Sequence, residues 1–144
     1  MVLVQLVYVS RPSRALASSD LMAILGTARE RNANDGVTGM LCYSGDFFLQ
    51  ILEGERARVC ATFQKILRDE RHRDVYLLSY TYPERRLFSE WDMGYVGLGD
   101  IPRALVLRYS EDGNLRPILA DPHIAMAFLA DIAVHVSETQ TAPL

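Results

Sequence analysis

Thr38-Gly39-Met40-Leu41-Cys42-Tyr43, then Ser44-Gly45-Asp46, then Phe47-Phe48-Leu49-Gln50-Ile51-Leu52-Glu53 is the stretch whose reading decides the fold. Two apolar runs rich in strand-forming residues flank a short Ser-Gly-Asp turn, the pattern of an antiparallel hairpin. Gln50 is out of character in its run. A carboxamide taken out of water without partners costs about 1–3 kcal/mol, so something polar must lie against this strand to hold it.

Upstream, Val2 to Val9 is rich in β-branched residues, too short and unbroken for an amphipathic helix, and reads as a strand that Arg11-Pro12-Ser13 ends. Alternation puts Val2, Val4, Leu6 and Tyr8 on one of its faces. A helix is expected to start near Ser18-Ser19-Asp20, where a short polar side chain can cap free amides, and to run to about Asn34 before Asp35-Gly36. Its apolar positions are Leu21, Ile24, Leu25 and Ala28, and one further turn of that face arrives at Asn32, a second carboxamide aimed inward.

Downstream, Glu53-Gly54-Glu55 leads into a second helix over Ala57 to Asp69, with Val59, Phe63, Ile66 and Leu67 as its inner face. A strand is expected over Val75 to Tyr82, closed by Pro83, and a shorter one around Met93 to Val96. The order strand, helix, strand, strand, helix, strand, strand predicts an α+β, ferredoxin-like sheet with two helices on one face. Beyond Gly99 the pattern becomes helical. Asp100-Ile101-Pro102 reads as a helix start, Asp112-Gly113-Asn114 as a turn, and Asp121-Pro122 as the cap of a helix over His123 to Val136. That helix is apolar around more than one stripe, so it must be covered by the free face of the sheet or by a second copy of the chain. Ser137 to Leu144 is expected to be a frayed tail.

The 144 residues suit one soluble globule, and a net charge of -3 argues against a nucleic-acid surface. Lys65 is the only lysine among 15 cationic side chains. Cys42 and Cys60 lie among apolar neighbours with no Cys-x-x-Cys pair, which points to reduced thiols and a cytoplasmic setting. No membrane span or cleavable leader is expected. His123 and His135 have no thiol or carboxylate cluster at metal-site spacing, so no metal is assigned.

The inward polar groups are therefore Tyr8, Asn32 and Gln50, framed by Ile24 and Ile66 on two helices that share one side of the sheet. A flat aromatic ligand could slip between the isoleucines and meet two carboxamides at its polar edge, since an amide offers both a donor and an acceptor.

Over about residues 3 to 96 the sequence resembles the BLUF domains, blue-light sensors that use FAD. The resemblance rests on Leu6-Val7-Tyr8-Val9-Ser10, Ala28-Arg29-Glu30-Arg31-Asn32, Gly36-Val37-Thr38-Gly39-Met40-Leu41, and Phe48-Leu49-Gln50-Ile51-Leu52-Glu53-Gly54. It continues in Ile66 with Asp69-Glu70-Arg71-His72, and in Phe88-Ser89-Glu90-Trp91-Asp92-Met93-Gly94. These fragments stand in the family's order and spacing.

The resemblance implies a noncovalently bound FAD. Tyr8 is then the electron and proton donor to the excited flavin, and Gln50 links its hydroxyl to the ring. Asn32 would bind the ring's carbonyl and N-H edge, Ile24 and Ile66 would sandwich it, and Arg71 and His72 would lie toward the ribityl and phosphate end. Trp91 and Met93 would belong to a segment beside Gln50 that repacks in light, while rearranged Gln50 hydrogen bonds move absorption slightly to the red.

The division expected is residues 1-98 as the flavin-binding domain and 99-144 as a C-terminal helical extension. The implied protein is a photoreceptor and not an enzyme. It would signal to a separate effector protein, as a homodimer or higher homo-oligomer, without binding nucleic acid or membrane. Two other readings use the same pocket residues: a light-insensitive flavin redox protein, and a cofactor-free interaction module.

Overall fold

The computed structural model describes residues 1–139. Five strands, β1 (Leu3–Pro12), β2 (Thr38–Tyr43), β3 (Phe48–Glu55), β4 (His72–Thr81) and β5 (Gly94–Gly97), form one sheet in the order β4-β1-β3-β2-β5. Helix α1 (Ser18–Asp35) connects β1 to β2, and α2 (Arg56–Arg68) connects β3 to β4. The first four strands pair antiparallel, whereas β5 adds to β2 in parallel. This is the expected ferredoxin-like α+β plan with one strand added at an edge.

Local chemistry sets the element ends. The cap of α1 is Ala17 rather than a hydroxyl residue, and the Asp20 carboxylate reaches back to accept from the Ala17 amide at 3.0 Å. Gly36 ends the helix at φ 66, a left-handed turn that glycine adopts without steric cost, and lets the Val37 amide bond back to Asn32 O at 3.0 Å. Asn32 is thereby fixed on the last turn with its side chain inward. At the start of α2, the Glu55 carboxylate accepts from the Ala57 amide at 2.6 Å.

Strand alternation builds a separate core on each face of the sheet. Val4, Leu6, Tyr8, Phe48 and Leu52 pack against Leu25 and Ala28 of α1 and Val59 and Ile66 of α2. Val7, Met40, Cys42, Leu49 and Ile51 face the other way, toward Ile118, Phe128, Leu129, Ile132 and Val136. Each fully buried side chain of this size contributes about 1.5–3 kcal/mol of hydrophobic stabilisation. The C-terminal part comprises a 3-10 turn (Leu98–Asp100), α3 (Arg103–Val106), α4 (Arg116–Ala120) and α5 (Pro122–Thr139). The sheet's free face covers the inner side of α5, and the Asp121 carboxylate caps it by accepting from the His123 amide at 2.9 Å.

Several boundaries and faces differ from the sequence reading. On α2 the buried set is Val59, Thr62 and Ile66, Phe63 packs half-buried against the same core as expected, and Leu67 is 52% exposed. At 3.6 residues per turn Leu67 falls more than a quarter-turn past Ile66, whereas Thr62, one turn before Ile66, shares its row. Strand β4 begins at His72 rather than Val75, through an irregular start in which Asp74 takes φ 50. The fifth strand begins one position later than expected, at Gly94. The expected tail at Ser137 to Leu144 is helical through Thr139, and the rest of it lies outside the described residues. No described helix is long and apolar enough to cross a membrane.

Candidate functional site

A cleft of about 550 Å3, counting its open mouth, lies between α1, α2 and the helix-bearing face of the sheet. Ile24 and Ile66 line it from the two helices, and Tyr8, Gln50 and Met93 line its floor. Apolar walls with a few convergent polar groups are the usual make-up of a small-molecule site.

The floor is a hydrogen-bonded chain. Tyr8 and Gln50 are direct partners across the β1–β3 ladder, so pleating brings both side chains to the same face. The Tyr8 hydroxyl donates to Gln50 Oε1, and Gln50 Nε2 points at Met93 Sδ, 3.2 Å away. Tyr8 is 1% exposed. Burial raises its pKa far above the ordinary phenol value, with the Asp69 charge adding to the rise and Arg31 opposing it, so the phenol is neutral at pH 7.

Beside this chain, Asn32 Nδ2 donates to Asp92 O at 2.7 Å and Arg29 Nε donates to Met93 O at 2.9 Å. Helix α1 thus holds the backbone of the segment that carries Met93. Three polar atoms here are buried without a partner: Asn32 Oδ1, Arg29 Nη2 and Arg31 Nε. Unpaired buried groups are costly and rare; Arg31 lines the cleft itself, and an open acceptor on Asn32 beside it suits the alternating carbonyl and N-H edge of a flat heteroaromatic ring.

The mouth is cationic. Arg31, Lys65 and Arg71 border it together with Asp69. Arg71 grips Asp69 through Nε to Oδ1 at 2.9 Å and Nη2 to Oδ2 at 2.6 Å, which holds the Asp69 carboxyl below its usual range and raises the guanidinium. His72 shares a hydrogen bond with Ser10 Oγ at 2.8 Å through Nδ1, and its ring lies 4.7 Å from that of Phe48. Burial lowers the His72 pKa, with Asp69 opposing and Arg71 assisting, so the neutral imidazole is favoured at pH 7.

The structure therefore brings Tyr8, Ile24, Gln50, Ile66, Arg71, His72 and Met93 to one cleft, with Asn32 buried beside it. It separates Trp91 from them. The indole lies in the opposite core against Phe88, at a ring distance of 5.6 Å, and its carbonyl accepts from the Gly39 amide at 3.0 Å. A Cβ on Gly94 would sit 2.6 Å from Trp91 Cε3, so glycine is what lets the indole lie over β5. Trp91 and Met93 are two positions apart yet face opposite sides of the sheet, because the chain between them turns in at its edge. The sequence reading gave no site role to Arg31, which lines the cleft, or to Arg29, which holds the Met93 carbonyl; their signal was position, since both lie within a turn of Asn32.

Residues 3–94 match the family described as BLUF, sensors of blue-light using FAD. The photoactivated adenylate cyclase subunit beta of Euglena gracilis is 36% identical over 92 residues, which cover 63% of this chain and 11% of that one. The chain thus spans about a tenth of that relative's length. BlsA in its ground state superposes with a TM-score of 0.81 at 30% identity, covering 92% of this chain and 88% of that one. Klebsiella pneumoniae BlrP1 with FMN and cyclic diGMP gives a TM-score of 0.69 at 33% identity, over 90% of this chain and 35% of that one.

Proposed function

The chain belongs to the BLUF family, blue-light sensors that use a flavin, and we propose on that premise that Tyr8 and Gln50 form its light-driven switch. The observation that carries the proposal is the buried chain from the Tyr8 hydroxyl through Gln50 to Met93 Sδ. The bound flavin supplies absorption of blue light and an excited ring able to accept an electron. With the flavin bound, Tyr8 would supply the electron while its hydroxyl proton moved toward Gln50 Oε1, the acceptor it already faces. Both return to Tyr8 at the end of the cycle, so no bond is made permanently. Gln50 is left with a changed set of partners, which an amide reaches without acquiring net charge.

FAD is the flavin proposed, because the three cations at the mouth suit a diphosphate better than a single phosphate. Ile24 and Ile66 would sandwich the ring, Asn32 and Gln50 would meet its polar edge, and Arg71 and His72 would lie toward the phosphate-bearing chain. The region is a sensor and not an enzyme.

Met93 and Trp91 relay the change. Loss of the Gln50 to Met93 contact loosens a segment whose other aromatic, Trp91, is packed into the core that α5 shares. Residues 1-98 are the flavin-binding unit in this reading, and 99-144 carry the output to a separate effector, in a cytoplasmic homodimer or higher homo-oligomer.

The test is the visible spectrum of purified protein in darkness and just after a blue flash, with the released flavin identified after denaturation. A slight, reversible red shift with FAD supports the reading. Flavin without the shift favours the redox alternative, and folded protein that takes up no FAD favours the interaction module.

A further inference from the structure

Glu53 is 0% exposed and makes no ion pair among the described residues. Instead its carboxylate accepts from Gln5 Nε2 at 2.7 Å, from the Leu87 amide at 2.8 Å and from the Phe88 amide at 2.7 Å. A buried carboxylate held by three neutral donors is an expensive way to fasten a loop, since apolar packing would do so without desolvating a charge. The loop it fastens is the start of the segment that continues through Trp91 to Met93.

The placement relative to the switch is specific. Tyr8 pairs with Gln50 and Gln5 pairs with Glu53 on the same β1–β3 ladder. Alternation turns the first pair toward the cleft and the second toward the opposite face, the side on which Phe88 and Trp91 pack. The ladder therefore grips residues 87–93 at both ends. Glu53 holds the Leu87 and Phe88 amides on one face, and Gln50 touches Met93 Sδ on the other. Between them, the Gly39 amide of neighbouring β2 holds the Trp91 carbonyl.

We propose that Glu53, with Gln5 as its support, is a positioning residue for the light switch: it fixes the near end of the 87–93 segment, so that a change at Gln50 is delivered as repacking of Met93 and Trp91 rather than dissipated along the loop. The proposal rests on the Tyr8–Gln50 reading above. It assigns Glu53 no contact with the flavin. A loosened near end lowers the barrier to repacking in both directions, so dark recovery quickens and the light-induced change at Trp91 shrinks.

The experiment uses the whole flavin-loaded chain with Glu53→Gln, a substitution of the same shape that replaces one accepting oxygen with a donor. Recovery after a blue flash is followed by absorbance. The light-minus-dark change in tryptophan emission is followed as well, excited and read at wavelengths that exclude the seven tyrosines and the flavin, and it reports Trp91, the one tryptophan of the chain. The expected result is an unchanged red shift, recovery at least about threefold faster, and a Trp91 signal reduced by at least about half. Gln5→Met, which removes one donor and keeps the carboxylate, is expected to move both readouts the same way by a smaller factor, and it carries the test if Glu53→Gln does not fold. Recovery within twofold of the unsubstituted chain or slower, with a full Trp91 signal and only a lower melting temperature, overturns the proposal and leaves the switch intact. Absence of any red shift in the unsubstituted chain overturns the photoreceptor reading and this proposal with it.

Discussion

Replacing Tyr8 with phenylalanine removes one oxygen from a fully packed position and nothing else, so its consequences can be worked out from the contacts. The ring still packs near Phe63, 5.6 Å away, and keeps its place in the core beneath α1 and α2. What is lost is the donor to Gln50 Oε1, leaving that buried acceptor without the partner it has in the native chain. That loss costs about 1–2 kcal/mol once the removal of the hydroxyl's own desolvation is allowed for. For a domain of this size roughly 4 °C of melting temperature accompanies each kcal/mol, so a fall of about 4–8 °C is expected. Flavin binding is expected to persist, because Ile24, Ile66, Asn32 and the cationic mouth are untouched. The red shift after a blue flash is expected to vanish, since no phenol remains to give up an electron and a proton. Differential scanning fluorimetry and flash absorbance on one preparation check both parts. A folded, flavin-loaded Tyr8→Phe protein that still shifts reversibly would refute the reasoning.

Gly94→Ala places a methyl 2.6 Å from Trp91 Cε3, and relief of that clash is expected to cost about 1–3 kcal/mol and to move the Trp91 emission maximum in the dark, readable by fluorescence. Asn32→Ala removes the bond to Asp92 O and the unpaired Oδ1; loss of about one buried hydrogen bond, near 1.4 kcal/mol, should weaken flavin binding about tenfold in an equilibrium titration. For His72 the pKa is lowered on folding, so the unfolded chain binds the extra proton first as pH falls through 6.5, and stability present above that pH is lost below it. Melting temperatures between pH 7 and 5 should therefore drop less steeply in His72→Asn than in the unsubstituted chain, and equal slopes would count against a buried neutral imidazole.

Much of this site is legible from periodicity alone. Tyr8 and Gln50 share a face because each lies in an unbroken strand whose alternation fixes its direction, and Asn32 follows from continuing the Leu25 and Ala28 row by one turn. Where the chain leaves regular structure, that argument stops. Trp91 and Met93 sit in a turn before a short parallel strand, and which side each takes depends on the partner strand β2 and on the space that Gly94 leaves, neither of which local sequence encodes. Arg31 lines the cleft and buries Nε, and Arg29 buries Nη2 while Nε donates to Met93 O, placements that depend on a segment distant in the chain. Glu53 reads as the end of a strand, and its role appears only when the Leu87 and Phe88 amides arrive from a distant part of the chain. Leu67 shows the opposite error, an apolar residue at helical spacing that ends up facing solvent.

The central claim is that Gln50 is the element whose hydrogen bonds change with light, and Gln50→Leu tests it most directly. The side chain keeps its bulk and its place opposite Tyr8 but loses both the acceptor and the donor. Light-minus-dark absorbance of the flavin-loaded variant should be flat at the red edge while the unsubstituted chain shows its reversible shift. A normal, reversible shift in Gln50→Leu would contradict the account and place the switch elsewhere in the cleft.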